Sequence, residues 1–226
     1  MHSYNRTLLA KLGFADPDKK ESRHDLACKY MGLEENHVRA TKMILPSFDR
    51  SSVSRSPVPH ISQDLHYKTR LRFKEPLSPA FEVPISKGDG AYKTKVGFVD
   101  VVLPCLIVRE TSCNGSQFSP DDRSFNKLLI AVEVKIQRAG MGDILRQLKL
   151  YREYQDGLMD RFRLHDERFN SDVHDVAWLL ITAFKLSKDD VDVLAVEGIR
   201  HARLGEKFDE YVAKQKQADP DGSPEF

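Results

Sequence analysis

Two short apolar runs dominate the hydrophobic pattern. Val96 to Leu103 reads VGFVDVVL, and Leu128 to Ile136 reads LLIAVEVKI. Both are rich in β-branched residues and bounded by turn formers, which predicts buried strands. In the second run, alternation puts Ile130, Val132, Val134 and Ile136 on one face, and Ala131, Glu133 and Lys135 on the other. In the first, Asp100 shares a face with Phe98 and Val102. Ala80 to Ile85 predicts a shorter strand, and the turn Lys87-Gly88-Asp89-Gly90 makes it a hairpin with VGFVDVVL. Val176 to Phe184, VAWLLITAF, is the most apolar stretch and predicts a central strand with Trp178 in the core.

Helical spacing marks five further segments. Leu8, Leu9 and Leu12 give a short pattern, broken by Asp16-Pro17-Asp18. Ser22, with Asp25 three residues on, predicts a capped helix that ends at Gly32. The Gly-rich turn 139–142 precedes DILRQLKLYREYQ, where Ile144, Leu148, Tyr151 and Gln155 share a face and Asp143 suits the helix start. Ser187 with Asp190 opens a helix towards Glu197, and Lys207 to Gln217 forms an amphipathic one.

Between these elements, 46–59 holds five serines and three prolines and reads as a loop. Arg109 to Asn126 reads as a long polar loop joining the two main strands. His66 to Lys74 puts Lys68, Arg70, Arg72 and Lys74 on alternate positions of a strand. That basic stripe is either a phosphate-tracking surface or a solvated edge strand.

The chain has 226 residues, 40% hydrophobic and 31% charged, with a formal net charge of +1. A nucleic-acid partner therefore needs local patches rather than overall charge. No apolar run approaches the length of a membrane span, and the first residues lack a secretory core, so a cytoplasmic protein without membrane contact is expected. Cys28, Cys105 and Cys113 lack CxxC spacing, which argues against a disulfide framework or a zinc site. No glycine loop of the nucleotide-binding kind is present.

The chemistry lies where apolar strands carry charge. Asp100 and Glu133 are costly there unless a cation or donors receive them. Lys135 falls one pleat from Glu133, and Gln147 and Tyr151 project from adjacent turns of one helix face. Two carboxylates with a lysine at the rim suit a hard divalent cation such as Mg²⁺.

Gly97 and Asp100, then Glu133 and Lys135, then Gln147 and Tyr151 follow the order GxxD, ExK and QxxxY. This resembles the PD-(D/E)XK nuclease superfamily, in particular its RecB-type exonuclease branch. The match runs from Gly97 to Tyr151 and leaves the rest of the chain uncovered. The resemblance implies an α/β, restriction-endonuclease-like fold, with a mixed central β-sheet flanked by helices. On this reading 1–218 is a single nuclease-like domain and 219–226 a disordered tail.

The resemblance also implies roles. Asp100, Glu133 and the Val134 carbonyl would hold Mg²⁺ or Mn²⁺. Lys135 would position the attacking water, and Gln147 and Tyr151 would support the site. It implies a further ligand from the preceding helix, for which His24, Asp25, Glu34 and Glu35 are candidates alongside ordinary surface roles. Glu82-Val83-Pro84 resembles a sequence often found ahead of GxxD. Three cysteines cannot hold the iron–sulfur cluster of some members. The expected activity is metal-dependent hydrolysis of DNA, with RNA second, in end processing during recombination, repair or phage replication. A structure-specific or restriction-like endonuclease, and a non-catalytic module binding nucleic acid or a partner protein, remain as alternatives.

Overall fold

A computed structural model describes residues 22–55, 64–88, 93–163 and 173–218. Its elements, in chain order, are α1 (Arg23–Gly32), α2 (Glu34–Ile44), a 3₁₀ turn (Leu45–Phe48), β1 (Arg50–Arg55), β2 (Asp64–Pro76), β3 (Ala80–Lys87), β4 (Thr94–Cys113) and β5 (Ser119–Lys135). Then follow α3 (Met141–Glu153), α4 (Asp156–Arg163), β6 (Val173–Thr182), α5 (Lys188–Val196), β7 (Ile199–Arg203) and α6 (Glu206–Ala218). The predicted helix near Asn5 and the tail lie outside the described residues.

The fold is mixed α/β. One sheet has the order β1-β2-β4-β5-β6-β7, with β3 also pairing β4. β1 to β5 pair antiparallel, whereas β5, β6 and β7 run parallel. The crossovers β5-α3-α4-β6 and β6-α5-β7 step in one direction, so their helices cover one face. There Ile144, Leu148, Tyr151, Leu158 and Leu194 pack on Val99, Val102, Leu129, Ala131, Trp178 and Leu180. The other face receives α1, α2 and α6, whose Leu26, Ile44, Phe208 and Val212 meet Val101, Leu103, Ile130, Val132, Val134 and Leu179. Each such buried side chain contributes about 1.5–3 kcal/mol. The predicted faces of Leu128 to Ile136 are those observed, and β6 lies between two parallel neighbours.

Both predicted capping boxes form. Ser22 and Asp25 close the start of α1, and Ser187 and Asp190 that of α5. The helix carrying Gln147 starts two residues earlier than Asp143, with Gly140 at its cap, where no side chain caps the helix. Asp143 sits in the first turn, where a carboxylate favours the positive end of the helix dipole.

Three expectations need correction. The stretch 109–126 is not a loop: β4 runs to Cys113 and β5 begins at Ser119, forming a long hairpin. Asn114 (φ 49°) and Gly115 (φ 77°) both take left-handed backbone, and the Ser116 N–H closes the turn on the Cys113 carbonyl. Asn-Gly suits such a primed turn, whose twist matches its flanking strands. Second, the Ser/Pro-rich stretch contributes β1, which pairs with β2. Third, β2 is an edge strand only in part: β1 covers Asp64 to Thr69, whereas Arg70 to Pro76 pair with β4 alone.

The ladder is irregular beside Asp100. Val99 and Val102 share one core layer while Val101 and Leu103 belong to the other, so alternation slips by one residue at this level. Across the ribbon, Glu82 adopts φ 47°, a strained conformation for a residue with a Cβ, and its side chain is exposed. Pairing of β4 with β5 ends at Val101–Val132. Asp100 and Glu133 follow directly on the two strands.

Candidate functional site

Glu133 is the centre of a polar cluster on the face covered by α3. It is 2% exposed. Lys135 Nζ donates to Glu133 Oε1 (2.6 Å) and to Gln147 Oε1 (3.0 Å). Gln147 Nε2 donates to Glu133 Oε1 (2.7 Å) and to Tyr151 Oη (2.9 Å). The i, i+4 spacing of Gln147 and Tyr151 lets one amide bridge the carboxylate and the phenol. Both bonds to the carboxylate fall on its Oε1. Glu133 Oε2 is buried and has no hydrogen-bond partner among the described residues.

Burial first, and the nearby Asp100 carboxylate second, push the Glu133 pKa up to about 7, against the pull of Lys135 and Gln147. This carboxyl therefore holds its proton well above the ordinary carboxylate range. Perturbation by burial plus a specific charge partner is common at functional sites.

Asp100 is held differently. The Val134 N–H donates to Asp100 Oδ2 (2.7 Å), taking the place of the ladder bond lost where β4 and β5 part. A strand residue directs its N–H and carbonyl towards the same neighbour, so the Val134 carbonyl faces the same gap. His24 Nε2 lies 3.4 Å from Asp100 Oδ2. The hydrogen bond to Asp100, then that to Cys28, raises the His24 pKa above its ordinary value despite partial burial. Of the four helix candidates, His24 is the one that meets Asp100. Asp25 is engaged in its capping box, while Glu34 and Glu35 lie exposed at the start of α2.

Gly97 has a specific reason to be glycine. A Cβ there would come within 2.6 Å of Tyr151 Cε1 and Oη. The missing side chain lets the Tyr151 ring lie over β4 and keep its hydroxyl at Gln147. Gly97→Ala is expected to displace that ring and cost about 1–3 kcal/mol, as overpacking does. Gly97→Ala combined with Tyr151→Ala should then show strong positive coupling in urea midpoints, because the methyl group gains room. Additive effects would break the link between the two residues.

Asp100, Glu133, Lys135, Gln147 and Tyr151 are thus brought together, with Val134 between the two carboxylates. Among the described residues, no group of three His, Cys, Asp or Glu side chains forms a ready cage for a metal ion.

The basic stripe lies elsewhere. Lys68, Arg70, Arg72 and Lys74 are all exposed on one side of β2. Arg70 and Arg72 are committed, pairing with the buried Glu110 at 2.7 and 3.2 Å, and Arg70 also stacks 4.0 Å over Phe118. Burial opposes ionisation of Glu110, but the two guanidiniums prevail and lower its pKa. Lys74 lies near Ile107 and Leu106 in the register, six or so positions from Asp100 and hence on the order of 20 Å along β4. A cavity of about 700 Å³ opens on the α1, α2 and α6 side, lined by Arg23, Arg39, Arg203, Lys207 and Phe208 among others. None of the five clustered residues lines it.

No family model, curated protein or solved structure matches this chain. The cluster's own chemistry must carry the functional reading. No helix among the described residues is long and apolar enough to cross a membrane.

Proposed function

We propose that the chain is a metal-dependent nuclease of the PD-(D/E)XK type, RecB-like, on a restriction-endonuclease-like sheet, acting on DNA phosphodiesters. The observation that carries this reading is Glu133 Oε2: a buried carboxylate oxygen without a partner, beside a second carboxylate, in a network that secures only Oε1. An orphaned acceptor of that kind is costly unless something binds it.

The donor set fits Mg²⁺ or Mn²⁺. Asp100, Glu133 and the Val134 carbonyl are hard oxygen ligands, and His24 from α1 could add a nitrogen ligand once it gives up the proton that its contact with Asp100 favours. Mg²⁺ commonly takes only one or two carboxylates and fills its shell with water and phosphate, so a full protein cage is not required. When bound, such an ion lowers the pKa of water and polarises a phosphoryl oxygen.

The protein's own groups do the rest. Lys135 presents a fixed ammonium beside Glu133, placed to orient a water molecule and to stabilise charge growing on a phosphate oxygen. Gln147 holds both Glu133 and Lys135 in register, and Tyr151 holds Gln147. The Val134 N–H fixes one oxygen of Asp100 and leaves Oδ1 for a ligand.

One observation favours a second reading. Asp100 is already satisfied by Val134 and His24, as it would be in a non-catalytic binding module. Calorimetric titration with Mn²⁺ separates the two. Nuclease function predicts binding that tightens as pH rises through about 7, as Glu133 loses its proton, and that weakens strongly in Asp100→Ala. Absence of Mn²⁺ binding at pH 8 would favour the binding module. A panel of end-labelled single-stranded, double-stranded and circular DNAs with Mg²⁺ then tests the activity. Exonuclease action spares the circle, endonuclease action cuts it, and an intact panel rejects the proposal.

A further inference from the structure

Two aromatic rings are exposed on the β3–β4 ribbon, one on each side of the Asp100 level. Phe98 is 40% exposed and Phe81 is 45% exposed. Phe81 pairs with Val101, and Phe98 pairs with Pro84. Cross-strand partners share a face, so Phe81 lies on the face of Val101, and Phe98 points away from buried Val99 to that same face. The two rings are three ladder positions apart, roughly 10 Å. Asp100 and its His24 contact lie between them.

Neither ring is a loose surface side chain. Phe81 is pressed against the last turn of α1, where a Cβ on Gly32 would meet its Cζ at 2.6 Å. One side of that ring is fixed while much of its surface stays open. Phe98 carries the ammonium of Lys95 4.3 Å from its centroid. Lys87 lies 5.7 Å over Tyr154 at the far end of the same ribbon, and Lys93 is exposed beside it. Among the described residues, Lys87, Lys93 and Lys95 have no carboxylate partner.

We infer that Phe98 and Phe81 are stacking platforms for unpaired bases, and that the site takes single-stranded nucleic acid or the frayed end of a duplex. The inference rests on the nuclease reading for its location and supplies the substrate class. Aromatic rings interleaved with cations suit single strands, because every base has a face to stack and every phosphate a charge to meet. A duplex hides its base faces and offers such rings nothing. Lys95 adds a charge that a phosphate of the stacked nucleotide can share. The exposed lysines supply the charge complementarity that a chain of overall charge +1 otherwise lacks.

Binding of fluorescein-labelled oligo-dT and of a blunt hairpin duplex, measured by anisotropy in chelator so that no cleavage intervenes, tests this. Phe98→Ala should weaken oligo-dT binding about 10-fold, within the range for losing one stacked base, and leave duplex binding within about two-fold. Phe81→Ala should act in the same direction. Phe98→Trp should retain the affinity, and its added fluorescence should be quenched by oligo-dT but not by the duplex. Lys95→Ala should lower the salt slope by about one. Equal losses on both DNAs, or no loss on either, would overturn the platform. Selective loss without any metal-dependent cleavage by the wild type would keep the platform and reject the nuclease. Cleavage with unaltered Phe98 and Phe81 variants would do the reverse.

Discussion

Glu133→Gln is expected to reduce metal-dependent cleavage to background and, without metal, to stabilise the fold above neutral pH. The first effect follows from replacing an anionic ligand by a neutral amide. The second follows from linkage. The carboxyl of Glu133 has its pKa raised from an ordinary 4.5 to about 7, chiefly by burial and then by Asp100. The folded state therefore holds this proton more tightly than the unfolded state does. The associated stability is fully present below pH 4.5 and is lost as pH rises through about 7. At roughly 1.4 kcal/mol per pKa unit, the wild type should lose on the order of 3 kcal/mol over that range, and the glutamine variant should not. Urea midpoints at pH 5 and pH 8 measure the difference. Parallel pH profiles for the two proteins would mean that Glu133 titrates normally and lacks the burial described. Glu133→Ala is the harsher change, since it also leaves Lys135 and Gln147 without their shared acceptor.

Lys135→Ala should slow cleavage by roughly 10²–10³-fold, the usual cost of losing one preorganised electrostatic group. DNA affinity should stay within a few-fold, because an interaction made mainly in the transition state lowers the rate without weakening the ground-state complex. The 2.6 Å contact to Glu133 adds a second signature. Lys135 lowers the Glu133 pKa, so removing it should shift the metal-dependent limb of the pH–rate profile upward. Lys135→Arg should restore that limb in part but not the rate, since a planar guanidinium cannot occupy the place of a compact ammonium. Normal cleavage with weak DNA binding in Lys135→Ala would instead make the lysine a phosphate clamp.

The central strands were legible because their burial leaves a mark in sequence. Ile130, Val132 and Val134 must alternate with Ala131 and Glu133 if both faces are to be covered. The convergence of Glu133 and Lys135 with Gln147 and Tyr151 was legible for a related reason: strand period and helix period each fix a face. The long hairpin was missed because a polar ribbon carries little hydrophobic pattern. Its one strong signal is the Asn114-Gly115 dipeptide, a primed-turn pair set inside a polar stretch. β1 was masked likewise by serines suited to either state. His24 could be named as a candidate but not chosen, because α1 and β4 meet only through tertiary packing. The slip at Asp100 breaks alternation locally, so simple periodicity wrongly put Val102 on the face of Asp100 and Phe98. The exposure of Phe98 was likewise hidden inside an apolar run.

The most direct measurement is a time course of end-labelled linear DNA with the purified chain at pH 8, in Mg²⁺ or Mn²⁺ and in chelator, run beside Glu133→Gln of confirmed fold. The account predicts progressive shortening or scission with metal in the wild type, and intact DNA in chelator and in the variant. Intact DNA in every lane, or equal cleavage by wild type and variant, would contradict it.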